Sequence, residues 1–600
     1  MANSFLHLYA QQDTIFIAGG PSNAGLLETE IAANIATKPN AVYKLEAGQL
    51  HFTKAPINYD DTLSTLTIVG ETGGKKPFLM NLEDNGVTHT SHIVRGNLVL
   101  KNIYFVNKEF NNGTLLPIGG GGAASDLGIF NVQGKQQNIS VEDCVVEFLG
   151  FTFIRADVTD GMSVKFVNNY FRDIFDQNQW WRGRIIYTPA LPIDTLIFSN
   201  NTVTGAGLPL LQEKAVTLYG FYDHNTFINC HKYVFLNPYG FETYFTNNLF
   251  INSDWVGEDI NIILSHQDPD PYPHGIVGLD TIEANPDIVV QSRFQIDSAT
   301  IDPMFGDFSN YKWYAANNVV WNDPMHADYY NGAYNTVGDY PVSFITWFDS
   351  NSPHEVENVP SVWVNARTQQ LVDDHASIKM DANMYDVMDP GLATPALADT
   401  NVVQNLAIWN RSQFRVADET RTPDFTDYLF GDNDQKTFPG VENENDDSNP
   451  GINKISDFVE DFTYTSAITS LIDGNPVGAL HWWDQAYDLG IAQTEVSEAY
   501  QREFPLSIDP ALLTQYELKN YPNPFTGITT IEFKLESSQE INLRILDIRG
   551  KEIKSLQNGM LYQGTHSFQF DGSELAPGLY LYELSTAEHT LKGKMLLSRP

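Results

Sequence analysis

Arg172, Arg182 and Arg184 lie close together in this chain, beside Asp173, Asp176 and the aromatic pair Trp180-Trp181. Arginine forks onto carboxylates through two parallel hydrogen bonds, and aromatic faces stack on sugar rings. Together these residue types fit the recognition of an acidic glycan. The same residues also admit a structural reading, with the arginines in surface ion pairs and the tryptophans covering a flank of the fold. Asp223-His224-Asn225 and His231-Lys232 form a second group, in which histidine could act as acid or base near neutral pH.

Acidic groups come next. Asp268, Asp270 and His274 sit in a Pro-rich stretch. A denser set holds Asp432, Asp434, Glu442, Glu444, Asp446 and Asp447. Carboxylate oxygens are the ligands calcium takes, so the dense set is the candidate metal site. Its spacing lacks the glycine and closing glutamate of an EF-hand. Acidic runs are most often solvated loops. Gly119 to Gly122 lacks the Lys-Ser/Thr of a phosphate loop. No nucleophile elbow and no zinc signature is present.

The composition narrows the setting. The 600 residues carry 35 basic and 75 acidic side chains, a net charge of −40. Such a charge argues against nucleic acid and against anionic membrane surfaces as partners. Glycine (43), proline (30) and 12% aromatics suit a turn-rich β protein. Cys144 and Cys230 are too few for a disulfide scaffold and read as buried thiols, or as a pair if they stack on neighbouring coils. No apolar run reaches the length of a membrane span. Residues 1–12, with Phe5 to Ala10 followed by Gln11-Gln12, read as the end of a signal peptide or as a disordered tail.

The elements that must position these groups show in a repeat from 13 to 325. Lys101-Asn102-Ile103-Tyr104-Phe105 is echoed by Asn168-Asn169-Tyr170-Phe171, Asn200-Asn201-Thr202-Val203 and His224-Asn225-Thr226-Phe227. Asn247-Asn248-Leu249-Phe250 and Asn317-Asn318-Val319-Val320 continue it, and Glu142-Asp143-Cys144-Val145 fits with Asp for Asn. Counting from the second residue of each pair gives corners at 102, 143, 169, 201, 225, 248 and 318. The shortest steps predict a coil of about 23 residues, within the range of solenoid repeats. Two residues after each corner stands Tyr104, Phe171, Val203, Phe227, Phe250 or Val320. Three before it stands Val99, Phe166, Phe198, Tyr222 or Phe245. These positions are expected to face inward. Asparagine tolerates a left-handed backbone, and stacked amides bond to one another.

The pattern resembles right-handed parallel β-helix proteins of the pectate-lyase-like superfamily. Leu27 to Thr37 reads as a helix capping the open end, and Ala41 to Gly48 and Leu66 to Glu71 as first coils. The resemblance implies a polysaccharide lyase, a glycoside hydrolase or a binder. In such a lyase Arg172, Arg182 or Arg184 would be the base, with Trp180, Trp181, Asp173 and Asp176 binding substrate and carboxylate-bound Ca2+ assisting β-elimination. The diagnostic lyase motifs are missing, so no catalytic residue carries over by resemblance.

Between 326 and 505 the repeat blurs. Asn405 to Phe414 and Ile491 to Arg502 read as helices. Asp473-Gly474-Asn475-Pro476-Val477-Gly478 leading to Trp482-Trp483 resembles a segment that closes many secreted β-helix proteins of Bacteroidota. This extension is expected to pack on or cap the coils.

Residues 506–600 form the last part. Ile531, Phe533, Leu535, then Ile541, Leu543, Ile545, then Phe568, Phe570, then Leu579, Leu581 alternate with polar residues and predict strands facing a core. Glycines at the turns complete an Ig-like β-sandwich. Pro522-Asn523-Pro524-Phe525, Gly550, Gly578-Leu579-Tyr580 and Lys592-Gly593-Lys594 follow in an order that resembles the C-terminal (Por) sorting domain of type IX secretion cargo. That resemblance implies export through the periplasm to the outer-membrane surface or the exterior, and the type IX machinery as partner. The expected whole is a mainly β, exported solenoid engaging extracellular polysaccharide, catalytically or not, or else a surface adhesin or self-assembling structural solenoid.

Overall fold

The computed structural model describes residues 13–81, 83–84, 87–88, 91–106, 128–134, 137–147, 149, 152–158, 162–174, 183–188, 193–207, 210–211, 217–228, 230, 234–236, 240–251, 253, 258–259, 311–321, 336–337, 340–341, 358–359, 366–375, 377–380, 392–393, 463–464, 470, 472–483, 485–503, 516, 518–523, 525, 527–546, 552–573, 575, 578–586 and 590–597. They fall into two compact units, one within residues 9–493 and one within 494–600.

The first unit is a parallel β-solenoid with three sheets. Among the described residues the first sheet has eleven strands, from Thr14–Ile17 to Ile378–Met380. The second has nine, from Leu50–Thr53 to Val319–Trp321, and the third seven, from Asn58–Tyr59 to Phe235–Leu236. One coil shows the plan. Gln137–Glu142 lies in the first sheet, Val145–Glu147 in the second and Thr152–Val158 in the third, and Met162–Val167 then returns to pair in parallel with Gln137–Glu142.

Stacked apolar side chains fill the bore. One row runs Phe105, Val146, Phe171, Val203, Phe227, Phe250 and Val320, each paired with the next. Phe227 and Phe250 stack at 5.3 Å, and Tyr222 and Phe245 in the first sheet at 4.4 Å. Each fully buried residue of this size contributes about 1.5–3 kcal/mol of hydrophobic stabilisation.

Five of the seven corners turn one residue earlier than the sequence expectation, while those at 102 and 143 fall where expected. The left-handed backbone belongs to Asn102, Asp143, Asn168, Asn200, His224, Asn247 and Asn317. The buried amide ladder belongs to the following residue, in Asn169, Asn201, Asn225, Asn248 and Asn318. Counting both kinds as one position therefore places Tyr104 and Val99 one residue off, and Phe105 and Leu100 are the inward residues of that coil. Two tasks are divided between neighbours because a residue turning the chain at positive φ cannot also send its side chain into the bore.

The ladder satisfies every amide group. Oδ1 of Asn225 accepts the backbone N–H of Asn201 at 3.0 Å and its Nδ2 at 3.1 Å, while Nδ2 of Asn225 donates to Phe198 O at 2.7 Å and to Asn248 Oδ1 at 2.9 Å. Complete pairing is what buried polar groups require.

The Leu26–Asn34 helix packs against the first strands of all three sheets and buries Leu27 and Ile31 in the bore. Glu28 anchors it by accepting the N–H groups of Lys54 and Ala55. Beyond residue 325, Ile378–Met380 adds a parallel strand to the first sheet, and Leu371 of the Ala366–Asp374 helix joins the same core. The expected Asn405 to Phe414 helix lies outside the described residues. The expected helix at Ile491 is observed as Leu489–Glu503.

The second unit holds two antiparallel sheets around one core. Lys519–Tyr521, Ile528–Leu535 and Gly564–Asp571 form one sheet. Glu552–Leu561, Gln539–Leu546, Gly578–Thr586 and Thr590–Leu597 form the other. Ile531, Phe533, Leu535, Ile541, Leu543, Ile545 and Phe570 face the core as expected. In Gly578–Thr586 the parity is opposite to expectation: Tyr580, Tyr582 and Leu584 are buried, and Leu581 is not. The inward choice is set by the partner strand, where Gly593 leaves a hollow that the Tyr582 ring fills.

Candidate functional site

Arg172 lies on the outer face of the second sheet, because its neighbour Phe171 points into the bore. Its Nε donates to Glu147 Oε1 at 2.6 Å. Glu147 is the residue directly beside it in the preceding coil, and its other oxygen accepts the hydroxyl of Tyr104. The Arg172 side chain is 12% exposed and that of Glu147 4%. This guanidinium is thus the counter-ion of a buried carboxylate.

Arg184 opens a strand of the third sheet and is buried, its guanidinium 4.3 Å from the ring centre of Tyr187. Arg155 approaches the same ring at 5.5 Å and pairs with Asp157 at 3.0 Å. Arg172 and Arg184 therefore belong to different sheets. Asp173 falls within the strand Tyr170–Ile174. Arg182, Trp180, Trp181 and Asp176 lie outside the described residues, as do His231, Lys232, Asp268, Asp270, His274, Asp432, Asp434, Glu442, Glu444, Asp446 and Asp447. Among the described residues no three His, Cys, Asp or Glu side chains are placed to hold a metal ion.

Glu147 escaped the sequence reading although it was within reach of it, and Tyr104 figured there as an inward position and not as a partner of Glu147. Glu147 and Arg172 stand the same distance past their corners at Asp143 and Asn168, so aligning the coils places one beside the other.

The most developed polar cluster is formed by residues 470–493, which strap across the second sheet and its corner. Gly478 N donates to Asn247 O at 2.8 Å and Ala479 N to Thr226 Oγ1 at 2.9 Å; Leu480 N donates to Asn200 Oδ1. Trp482 Nε1 donates to Thr202 Oγ1 at 2.8 Å, Tyr487 gives its hydroxyl to Asp223 Oδ2 at 2.9 Å, and Gln493 reaches Tyr219 at 3.1 Å. Val477, Ala479 and Leu480 are buried. Gly474 (φ 75°) and Gly478 (φ 94°) make the turns, and a Cβ on Gly478 would lie 2.7 Å from Thr226 Oγ1. Asp-Gly-Asn-Pro-Val-Gly is therefore a turn that only glycine permits at this closeness.

Two histidines sit under or within the strap. His224 takes the left-handed corner where other coils carry Asn (φ 52°), yet its ring leaves the amide row. Nε2 lies 2.7 Å from Asp473 Oδ2 and Nδ1 3.0 Å from Gly478 O. Burial pulls its pKa down, but the charges of Asp223 and Asp473 and the bonds to Asp473 and Gly478 leave it raised. Asp473, despite burial pushing its carboxyl up, is held at about 2 by the hydrogen bond and charge of His224. Burial raises the pKa of Asp223, whose oxygens take Thr246, Asn247 and Tyr487. His481 meets Thr202 Oγ1 at 2.8 Å and packs on Tyr170 at 4.3 Å, and burial lowers its pKa to about 3.

In the second unit, Pro522 and Asn523 lie in the link between Lys519–Tyr521 and Ile528–Leu535, and Pro522 O accepts Thr529 Oγ1 at 2.9 Å. Phe525 and Tyr580 are buried in the core, Gly578 opens its strand, and Lys592 and Lys594 lie in Thr590–Leu597. Pro524 and Gly550 lie outside the described residues.

Residues 519–598 match the family described as the secretion system C-terminal sorting domain. The chain is thus cargo for type IX secretion, carried to the cell surface or the extracellular space, and the described residues before the tail include a parallel β-solenoid. No curated protein matches the chain. Among the described residues no helix is long and apolar enough to cross a membrane.

Proposed function

We propose that the exported solenoid engages extracellular polysaccharide by binding it without cleaving it. The observation that carries the non-catalytic choice is the Arg172–Glu147 pair. A proton-abstracting guanidinium must face substrate, whereas Arg172 is largely buried and its guanidinium is paired with the Glu147 carboxylate. Support for a polymer partner comes from the outer face of the first sheet. There Thr65, Asn97, Asn138, Ser163 and Thr195 form a partly exposed polar row, one residue per strand. Asn97 donates to Thr65 Oγ1 at 3.3 Å and accepts Asn138 N at 2.9 Å, which fixes the side chains. Rungs about 4.8 Å apart present hydroxyls and amides in a line, a match for an extended hydroxyl-rich chain.

The test offers the purified protein a panel of acidic and neutral polysaccharides, with calcium and with chelator. Retention and ultraviolet absorbance of unsaturated product are followed together. Retention of at least one polymer without absorbance change is expected. A calcium-dependent rise in absorbance would establish a lyase instead, and no retention of any polymer would leave the adhesin or structural-solenoid reading in its place.

A further inference from the structure

We propose that His224 is a protonation-controlled latch for the strap 470–487: as an imidazolium it bolts the strap to the solenoid, and loss of its proton frees it. The geometry requires two ring protons. Nε2 faces the carboxylate of Asp473 and Nδ1 faces the carbonyl of Gly478, and both partners only accept. A neutral ring satisfies one of them and turns a bare nitrogen lone pair on the other. Both partners belong to the strap, and His224 belongs to a coil more than two hundred residues earlier.

Asp223 precedes His224 in the chain, Asp473 lies on the strap turn, and Tyr487 approaches the ring edge-on at 5.9 Å with its hydroxyl on Asp223. His224, Asp223 and Asn247 are fully buried. Tyr487 is raised well above its ordinary value by burial and the Asp223 charge and stays protonated throughout. The sign follows from the raised folded value of His224. Its contribution is complete below the unfolded value of about 6.5 and is lost as pH rises through the folded value. Asp223, also raised, acts in the same sense. Asp473, lowered to about 2, withdraws its share only in strong acid.

Release uncovers a defined surface. Thr202, Thr226 and Asn200 lose their strap partners, and Tyr170 loses His481 and Trp482 from its ring. Tyr170 stands two residues before Arg172 on the same strand. Freeing the strap therefore opens the outer face of the second sheet.

Hydrogen exchange of the full chain tests the latch. Amide protection of Gly478, Ala479 and Leu480, corrected for intrinsic rate, is compared between about pH 6 and about pH 9. Ladder amides Asn201 and Asn225 serve as the internal reference. A fall of about tenfold or more in the strap, with the ladder unchanged, is expected, since losing one hydrogen bond from a charged donor changes an equilibrium by about that factor. His224→Asn installs the residue other coils carry at the left-handed corner; its strap is expected to be weakly protected at every pH. Asp473→Asn keeps the turn and removes the charge, and its loss of protection is expected at lower pH than in the parent. Strap protection that is flat with pH in the parent chain overturns the latch whatever the variants do, and so does a parent-like pH profile in folded Asp473→Asn.

Discussion

Asn225 hands one amide hydrogen to Asn248 across 2.9 Å, and its own oxygen takes two hydrogens from Asn201. Every coil in this stretch depends on the next for its buried hydrogen bonds. Asn225→Ala leaves the Asn201 N–H and Nδ2 without that acceptor, at about 1–3 kcal/mol for each orphaned group. A loss of about 3 kcal/mol or more is expected. Asn168→Gly, at the half-buried left-handed corner (φ 61°), should cost less, about 1–3 kcal/mol, because glycine accepts that backbone and the buried Asn200 Nδ2 is the donor that loses its acceptor. Denaturant midpoints of the solenoid transition decide it, and equal costs would show that the two positions are not divided in role.

Arg172 and Glu147 form a pair whose halves are unequal to lose. Arg172→Met strands a buried carboxylate and should cost about 3–5 kcal/mol. Adding Glu147→Gln removes the charge yet keeps an acceptor for Tyr104, and should recover most of that loss. A double variant as unstable as the single one would contradict the ion-pair account.

Gly593 carries the ring of Tyr582. A Cβ there would lie 2.1 Å from Cζ and 2.3 Å from the hydroxyl oxygen. Gly593→Ala is expected to destabilise the sorting unit by about 1–3 kcal/mol through overpacking. Export should fall in parallel, measured as the fraction of chain recovered outside the cell. Truncation from Lys592 removes most of the last strand, including Met595 and Leu597, and should retain the protein inside. Normal export of the truncated chain would refute the role of this strand in sorting.

His481 sets an acid limit on the strap. Burial lowers its pKa to about 3. A depressed histidine contributes stability above its unfolded value, and that contribution drains away as pH falls below about 6.5 toward the folded value. The expected loss is on the order of 3 kcal/mol by about pH 4. His481→Phe keeps the contact with Tyr170 and should flatten this acid slope. Trp482, hydrogen-bonded to Thr202, supplies the fluorescence signal. An unchanged slope would place the acid sensitivity elsewhere.

Much of the architecture was legible in the chain itself. A solenoid repeats one local solution, so Asn-Asn followed by a bulky apolar residue announces the coil wherever it recurs. The alternation in Ile531, Phe533 and Leu535 announced a strand facing a core for the same local reason. The order of motifs after Tyr521 announced the destination of the protein.

Register and partners were settled only by the tertiary structure. Whether Leu581 or Tyr582 faces inward depends on the hollow at Gly593, eleven residues on and across a hairpin. Whether asparagine turns the chain or bonds in the bore depends on the coil above it. Arg172 reads as a base or a ligand until Glu147 is set beside it. Asp473 reads as one more acidic turn residue until the strap brings it to His224. Backbone preference and hydrophobic period act between neighbours, so sequence alone determined them. Charge pairing and exclusion of water act through space, and only the folded chain decides which groups meet.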